Sequence, residues 1–184
     1  YDSAHPGRAA LAEKLANLMP EDLKRVLFFS SGSEAVDAAT TIARYYTGKS
    51  EIISFHGAYH GRLYHSISLG GVSYFKKGIR PLAPGIIHAP YAYCYRCPFE
   101  KEYPGCKITC LRYLDVLMET VSSGDVAALV MEPYQGTTGS IIPPVEFVQG
   151  VREFCSKHGI IFIFDEVQSS FGRTGKLFAF QHFD

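Results

Sequence analysis

An unbroken apolar run, residues 159–164, ends in the acidic pair Asp165 and Glu166. Its β-branched and aromatic side chains predict a strand buried on both faces, as in the parallel sheets of α/β proteins. Ligands bind such sheets at the carboxyl ends of the strands, and Asp165 would lie at that end. A carboxylate there is costly to keep ionised unless a cationic group meets it. The run therefore predicts a ligand-binding carboxylate with a cationic partner.

Helix and strand patterns alternate along nearly the whole chain. Helices are predicted between Pro6 and Pro20, from about Ser31 to Gly48, over 111–121 and over 145–158. Strands are predicted over 26–29, 51–55, 86–89, 126–131 and the run that ends at Asp165. This alternation indicates an α/β protein with three layers, a mostly parallel sheet between two layers of helices.

Charge and hydropathy narrow the class of partner. Lys plus Arg and Asp plus Glu number 18 each, without a long run of one sign, so neither nucleic acid nor an anionic membrane surface is expected as a partner. No apolar stretch approaches the ~20 residues of a membrane span, and the first six residues lack the plan of a secretion signal. We expect a cytoplasmic protein and, because both ends look cut, a fragment of a larger domain.

A tract over residues 91–110 holds four of the five cysteines, Cys94, Cys97, Cys106 and Cys110. The paired spacing allows reduced thiols in an irregular loop, a structural zinc site or two disulfides, and the sequence leaves these three alternatives open. Cys155 lies on a predicted helical face and is expected in the core.

Two further segments predict ligand contacts. Ser31, Gly32 and Ser33 follow a predicted strand at a helix start, where free amides and hydroxyls attract a phosphate, although Ser33 could serve only as a helix cap. Tyr59 lies in a glycine-bordered turn, from which its ring can stack on a flat ligand. His56 and His60 lack the glutamate of the zinc-protease helix motif, and Gly57 and Gly61 argue against a helix, so no metal is expected. A phosphate clamp, a stacking ring and a carboxylate along one edge suit pyridoxal 5′-phosphate.

The order of the motifs resembles the class III pyridoxal-phosphate-dependent aminotransferases, which include 4-aminobutyrate, ornithine and acetylornithine aminotransferases. The motifs are Ser-Gly-Ser-Glu-Ala at 31–35, Tyr-His-Gly-Arg at 59–62, Glu-Pro-Tyr-Gln-Gly at 132–136, Phe-Asp-Glu-Val-Gln at 164–168 and Phe-Gly-Arg-Thr-Gly at 171–175. The resemblance implies the aspartate-aminotransferase fold (fold type I). Residues 1–184 would form part of its large domain, with the cysteine tract as an insertion and the small C-terminal domain absent.

The resemblance also assigns the cofactor contacts. Ser31, Gly32 and Ser33 would hold the phosphate, while Tyr59 and Val167 would cover the two faces of the ring.

The remaining contacts follow in the same way. Gln168 would lie near the phenolic oxygen of the cofactor, and Asp165 would bind the pyridinium nitrogen with support from His60. Asp165 would thereby keep the ring protonated as an electron sink. The family's Schiff-base lysine has no counterpart in the chain and would fall after Asp184.

The substrate side departs from the family pattern. Glu132 and Thr137 are placed there, and Thr137 replaces a glutamate that in many relatives pairs with a substrate-gating arginine. That replacement weakens the expectation of an ornithine-type substrate, while the cysteine tract resembles 4-aminobutyrate-like members.

The resemblance implies amino transfer from an amino acid or amine to a 2-oxo acid, in a homodimer. A racemase, epimerase or decarboxylase on the same scaffold is the alternative, as is a non-catalytic fragment or pseudo-enzyme.

Overall fold

The computed structural model describes residues 4–20 and 22–183, in two compact units that divide at residue 31. The N-terminal unit contains helix α1 (Pro6–Leu18), which starts where the His5 ring accepts the N–H of Gly7 at 3.2 Å. Pro6 suits the first helical turn, since its missing N–H would have no partner there. The ammonium of Lys24 donates to the carbonyl of Ala16, 2.8 Å away, beside the helix end. No side chain of α1 is buried.

The second unit, residues 32–184, alternates helices and strands. Its elements are α2 (Gly32–Thr47), β1 (Glu51–Phe55), α3 (Tyr64–Leu69), β2 (Ile86–Ala89), α4 (Thr109–Thr120), β3 (Val126–Met131), α5 (Val145–His158) and β4 (Ile161–Phe164). Short 3₁₀ helices occur at Ser73–Lys76, Cys94–Arg96 and Ala179–His182. Gly48 and Gly159 follow α2 and α5 with φ of 68° and 63°, a conformation that ends helices and favours glycine.

The four strands form one parallel sheet in the order β2-β1-β3-β4. β3 pairs with β4 from Ala128 opposite Ile161 to Met131 opposite Phe164. After β2, the chain crosses to the other side of β1, so the direction of winding reverses between β1 and β3. Parallel sheets open a crevice beyond the carboxyl ends of their strands at such a reversal.

Two apolar cores cover the two faces of the sheet. On one face, Phe55 and Leu129 pack with Leu114 of α4 and Phe147 of α5. Residues of the other core, on the opposite face, are Val36 and Ala43 from α2, Leu69 from α3, Ile52 from β1 and Ala128 and Val130 from β3. The neighbours Ile52 and Ile53 enter different cores, as the two-residue repeat of a strand requires. The second unit thus has the expected α/β/α layers.

Most predicted elements are confirmed, including α2, α5 and all four paired strands. Helix α4 begins two residues before the predicted start at residue 111. α3 is a helix that the glycine-rich pattern around it did not predict. No strand forms over residues 26–29 in the described part of the N-terminal unit, so that prediction is wrong.

The burial predicted for the strand before Asp165 is also wrong. All four residues of β4 are only half-buried, because β4 is the edge strand of this sheet and pairs on one side. The fully buried strand is β3, whose six residues lie between β1 and β4. Burial depends on strand order, which an apolar run alone does not specify.

Within residues 4–20 and 22–183, no helix is both long enough and apolar enough to cross a membrane.

Candidate functional site

A cavity of about 390 Å³ lies at the carboxyl ends of β1, β3 and β4, beside the start of α2. The residues around it come from four segments of the second unit. They are Gly32, Ser33, Tyr59, His60, Gly61, Glu132, Tyr134, Thr137, Asp165, Val167, Gln168 and Ser169. The volume and the convergence of a few polar groups suit a small ligand.

Asp165 and His60 form a buried pair at the base of this cavity. The Nδ1 atom of His60 lies 2.7 Å from Oδ2 of Asp165, and the two residues are 3% and 9% exposed. The N–H of Val167 donates to Oδ1 of the same carboxylate at 3.1 Å. These contacts hold the Asp165 carboxylate in one orientation next to the cavity.

The second nitrogen of His60, Nε2, is buried and has no hydrogen-bond partner among the described residues. Buried polar atoms usually have a partner, so this nitrogen is available for a hydrogen bond to a further group.

Hydrogen bonds hold Tyr59 both at its backbone and at its side-chain hydroxyl. Its backbone N–H donates to Oε1 of Glu132 at 2.8 Å, and its hydroxyl accepts the Nε–H of Arg62 at 3.2 Å. The Phe75 ring meets the Tyr59 ring edge-on with centroids 5.5 Å apart, and the Arg62 guanidinium lies 5.0 Å from the Phe75 centroid. The Tyr59 ring is therefore fixed before any ligand enters, as a stacking surface requires.

The start of α2 supplies neutral hydrogen-bond donors. The Ser33 hydroxyl accepts the N–H of Arg62 at 3.1 Å, which leaves its own hydrogen free to donate into the cavity. A Cβ atom at Gly32 would lie only 2.8 Å from Cγ1 of Val167, so this position needs glycine. No lysine or arginine lines the cavity among the described residues, although Arg62 contacts Tyr59 and Ser33. An anionic group at the start of α2 would therefore be bound mainly by amides, hydroxyls and the helix dipole.

Glu132 is a nearly buried carboxyl beside the pair of Asp165 and His60. It is 7% exposed, and burial, more than any other cause, raises its pKa to about 7. The Asp165 charge acts in the same direction, while His60 and the N–H groups of Tyr59 and Gly136 lower the pKa. Glu132 can therefore change its charge near neutral pH, which is typical of residues in functional sites.

The structure brings nearly all the predicted site residues together. Gly32, Ser33, Tyr59, His60, Glu132, Thr137, Asp165, Val167 and Gln168 surround the cavity. Ser31 is the last residue of the N-terminal unit, and its role stays a prediction. Sequence reasoning missed Gly61, Tyr134 and Ser169 in the cavity wall. It also missed the contact of Arg62 with Tyr59, although Arg62 belongs to the Tyr-His-Gly-Arg motif.

The family model of the class-III aminotransferases matches residues 4–184. The chain belongs to this family. A relative, the probable 4-aminobutyrate aminotransferase of Bacillus subtilis, is 40% identical over an alignment of 185 positions that covers 98% of this chain and 42% of that protein. The leucine/methionine racemase of Thermococcus litoralis is 40% identical over 174 residues, 94% of this chain and 39% of that protein.

Solved structures of aminotransferases have the same fold. An amine transaminase from an uncultivated Pseudomonas species, in a form with pyridoxal phosphate (PLP) bound, matches 100% of this chain and 43% of its own, with a TM-score of 0.93 and 32% identity. The aspartate-aminotransferase fold is thus confirmed, in part of a domain. The chain spans about 40% of the length of the curated relatives that it matches.

The cofactor of class-III aminotransferases is PLP, and the residues of the cavity fit this group. The Asp165 carboxylate suits a ring nitrogen that carries a proton, and the fixed Tyr59 ring suits a flat heteroaromatic ring. Gly32 and Ser33 suit a phosphate, since the glycine leaves space beside Val167 that a Cβ would fill.

The cysteine tract of the chain lies outside the cavity. Cys94, Cys97, Cys106 and Cys110 line a separate space of about 20 Å³, and all are free thiols. The disulfide alternative is therefore wrong for this structure. No group of three or more metal-ligating side chains occurs within residues 4–20 and 22–183, so the zinc alternative has no support either. Burial raises the pKa of Cys110 to about 11.

Proposed function

We propose that the protein containing this chain is a PLP-dependent aminotransferase, which moves an amino group from an amino acid or amine to a 2-oxo acid. The observation that supports this most strongly is the Asp165 carboxylate, nearly buried and held by His60 and Val167 beside a cavity of ligand size. Family membership supplies the reaction class, and 4-aminobutyrate is the first donor to test because of the Bacillus subtilis relative.

Each proposed contact follows from a group in the cavity. Asp165 would hold a proton on the ring nitrogen of bound PLP, because an ionised carboxylate nearby favours the protonated form. PLP supplies an electron sink when the substrate loses a proton. His60 would keep Asp165 in place, Tyr59 and Val167 would enclose the ring, and Gln168 would contact its phenolic oxygen.

The phosphate and substrate contacts complete the proposal. Ser31, Gly32 and Ser33 would bind the phosphate with neutral donors at the start of α2. Glu132 and Thr137 would face the substrate. The lysine that carries the cofactor would be encoded after residue 184 in the complete reading frame.

The experiment uses the product of the complete reading frame that contains residues 1–184. With 4-aminobutyrate and 2-oxoglutarate, we expect glutamate to form, together with a PLP absorbance band that borohydride traps on a lysine. Asp165→Ala should lower the rate by at least 100-fold. Asp115→Ala, which removes an exposed carboxylate 3.9 Å from His158, should leave it unchanged. An enzyme without the trapped band would contradict the proposal.

A second function on the same cofactor is racemisation, favoured by the Thermococcus litoralis relative that is named a leucine/methionine racemase. Incubation with L-leucine or L-methionine and no oxo acid separates the two functions. Inversion without a keto product would indicate the racemase, and keto product formed only with an oxo acid would indicate the aminotransferase.

We also propose a cytoplasmic homodimer in which residues 1–184 belong to the large domain and residues 91–110 are an insertion. Tyr45 and Tyr46 at the end of α2 are 87% and 81% exposed, and such aromatic surface is common where a partner chain binds. Sedimentation of the complete product should give a dimer; monomers at all concentrations would contradict this arrangement.

A further inference from the structure

Glu132 links two of the loops that form the cavity. It directly follows β3, and its carboxylate accepts the N–H of Tyr59, in the loop after β1, at 2.8 Å. The N–H of Gly136, in the loop that leads to Thr137, also faces this carboxylate. One side chain therefore holds the backbone of the stacking residue and the backbone next to the substrate-side loop.

Ionisation of Glu132 costs the folded protein free energy, because its carboxyl is buried. The carboxyl is 7% exposed and shares the cavity with the Asp165 carboxylate, and no lysine or arginine is among the described residues around it. A glutamine could accept the same N–H groups without a charge. A buried acid at a position where a neutral amide would suffice is more typical of a site that uses its charge than of a structural link.

We infer that Glu132 is a positioning residue of this site, whose ionised carboxylate fixes the Tyr59 loop and thereby strengthens PLP binding above neutral pH. The inference rests on the proposed function, since it takes PLP as the ligand. An ionised acceptor makes a shorter and stronger hydrogen bond than a neutral one, so the Tyr59 backbone is held most firmly when Glu132 has lost its proton.

The titratable groups that face Glu132 are His60, Asp165 and Tyr91. Burial keeps the pKa of Tyr91 far above its ordinary value, so this phenol stays neutral between pH 5.5 and 8, the range in which the test is made. His60 and Asp165 remain in a Glu132→Gln variant, so the ratio of the two affinities measures the effect of the Glu132 carboxyl together with its interaction with this pair.

The test measures the dissociation constant of PLP by fluorescence quenching, for the wild type and Glu132→Gln, at pH 5.5, 7 and 8. The complete product is used, with unfolding curves to show that both proteins are folded. We expect Glu132→Gln to bind PLP about tenfold more weakly at pH 8 and about equally at pH 5.5, where both side chains are neutral.

Two controls keep the result interpretable. Glu146→Gln removes another hydrogen-bonded carboxylate, which accepts the Tyr103 hydroxyl at 2.9 Å outside the cavity, and should give a ratio near one at every pH. Glu132→Asp retains the charge and should keep the pH dependence even if its affinity is lower.

Three outcomes overturn the inference. A ratio that is constant with pH would indicate a purely structural link, and a ratio of one throughout would indicate no role. A folded wild type that does not bind PLP would overturn both the inference and the proposed function, so the two failures are distinguishable.

Discussion

The cavity and the cysteine tract assemble their reactive side chains in opposite ways. The cavity takes one to three polar residues from each of four segments, and Tyr59 and Asp165 lie 106 positions apart in the sequence. The tract concentrates four thiols within 17 consecutive residues, yet it holds neither a disulfide nor a ligand group suited to a metal ion in the described structure. Sheet topology, and not local density of reactive residues, makes the site.

The largest effect should come from Asp165→Ala, which removes the partner of the buried His60. Breaking a buried pair leaves one polar group unsatisfied, so the free energy of unfolding should fall by about 3 kcal/mol or more. Asp115→Ala breaks the exposed contact with His158 and should cost less than about 1 kcal/mol. Urea unfolding measures the loss in the free energy of unfolding for both variants. Equal losses would show that the buried pair contributes no more than the exposed one.

Glu132 should make the stability of the folded chain depend on pH. Its pKa is raised from 4.5 to about 7 in the folded chain, so the folded state binds a proton that the unfolded state has lost between these values. The stability that the neutral acid contributes is complete below pH 4.5 and is lost as the pH rises through 7, by up to about 3 kcal/mol.

The same linkage gives the control. Glu132→Gln should be at least as stable as the wild type at pH 8 and should lose this part of the pH dependence. Urea unfolding at pH 5 and pH 8 tests both proteins. If the free energies of unfolding of the wild type and Glu132→Gln changed equally between the two pH values, a group other than Glu132 would cause the pH dependence.

A smaller effect should follow from Gly32→Ala at the cavity, compared with Gly105→Ala in the tract. A Cβ at position 32 would press on Val167 at 2.8 Å, whereas one at position 105 would meet only the Glu102 carbonyl at 3.6 Å, an ordinary contact. We expect PLP affinity to fall about tenfold for Gly32→Ala, because Val167 must move where it should cover the ring. Fluorescence titration with PLP measures both affinities. Equal affinities of the two variants would count against the proposed phosphate contact at Gly32.

The smallest effect should come from Cys94→Ser in the tract. Cys94 is exposed, so the substitution should change the free energy of unfolding by less than about 0.5 kcal/mol.

In the wild type, reaction with a thiol reagent at pH 8 should label Cys94 first and Cys155 only on unfolding, since Cys155 is buried and burial raises its pKa to about 12. Rapid labelling of Cys155 in the folded chain would contradict this order.

The sequence predicts the members of the site better than their electrostatics. Tyr59 and Asp165 were predictable because each follows a strand, and the ends of parallel strands share one edge. The pKa of Glu132 was not, because it depends first on burial and then on His60 and Asp165, which follow two other strands. Pairwise effects of this kind arise only after the strands are ordered.

The errors in the fold have the same origin. The residues at 26–29 have strand-like side chains, but a strand also needs a neighbour, and no local pattern supplies one. The apolar runs of β3 and β4 look alike, and only the strand order makes β3 central and β4 the edge. Helix ends at Gly48 and Gly159 were predictable because a left-handed glycine is a local signal.

The central position of β3 has a consequence for motion over hours. Its six residues have no exposed surface, and neighbouring strands pair with it on both sides. Amides of this kind exchange with deuterium only when a large part of the molecule opens, so those of β3 should be among the slowest in the chain. Glu132 is the next residue, so this carboxyl of the cavity is attached directly to a segment that opens rarely.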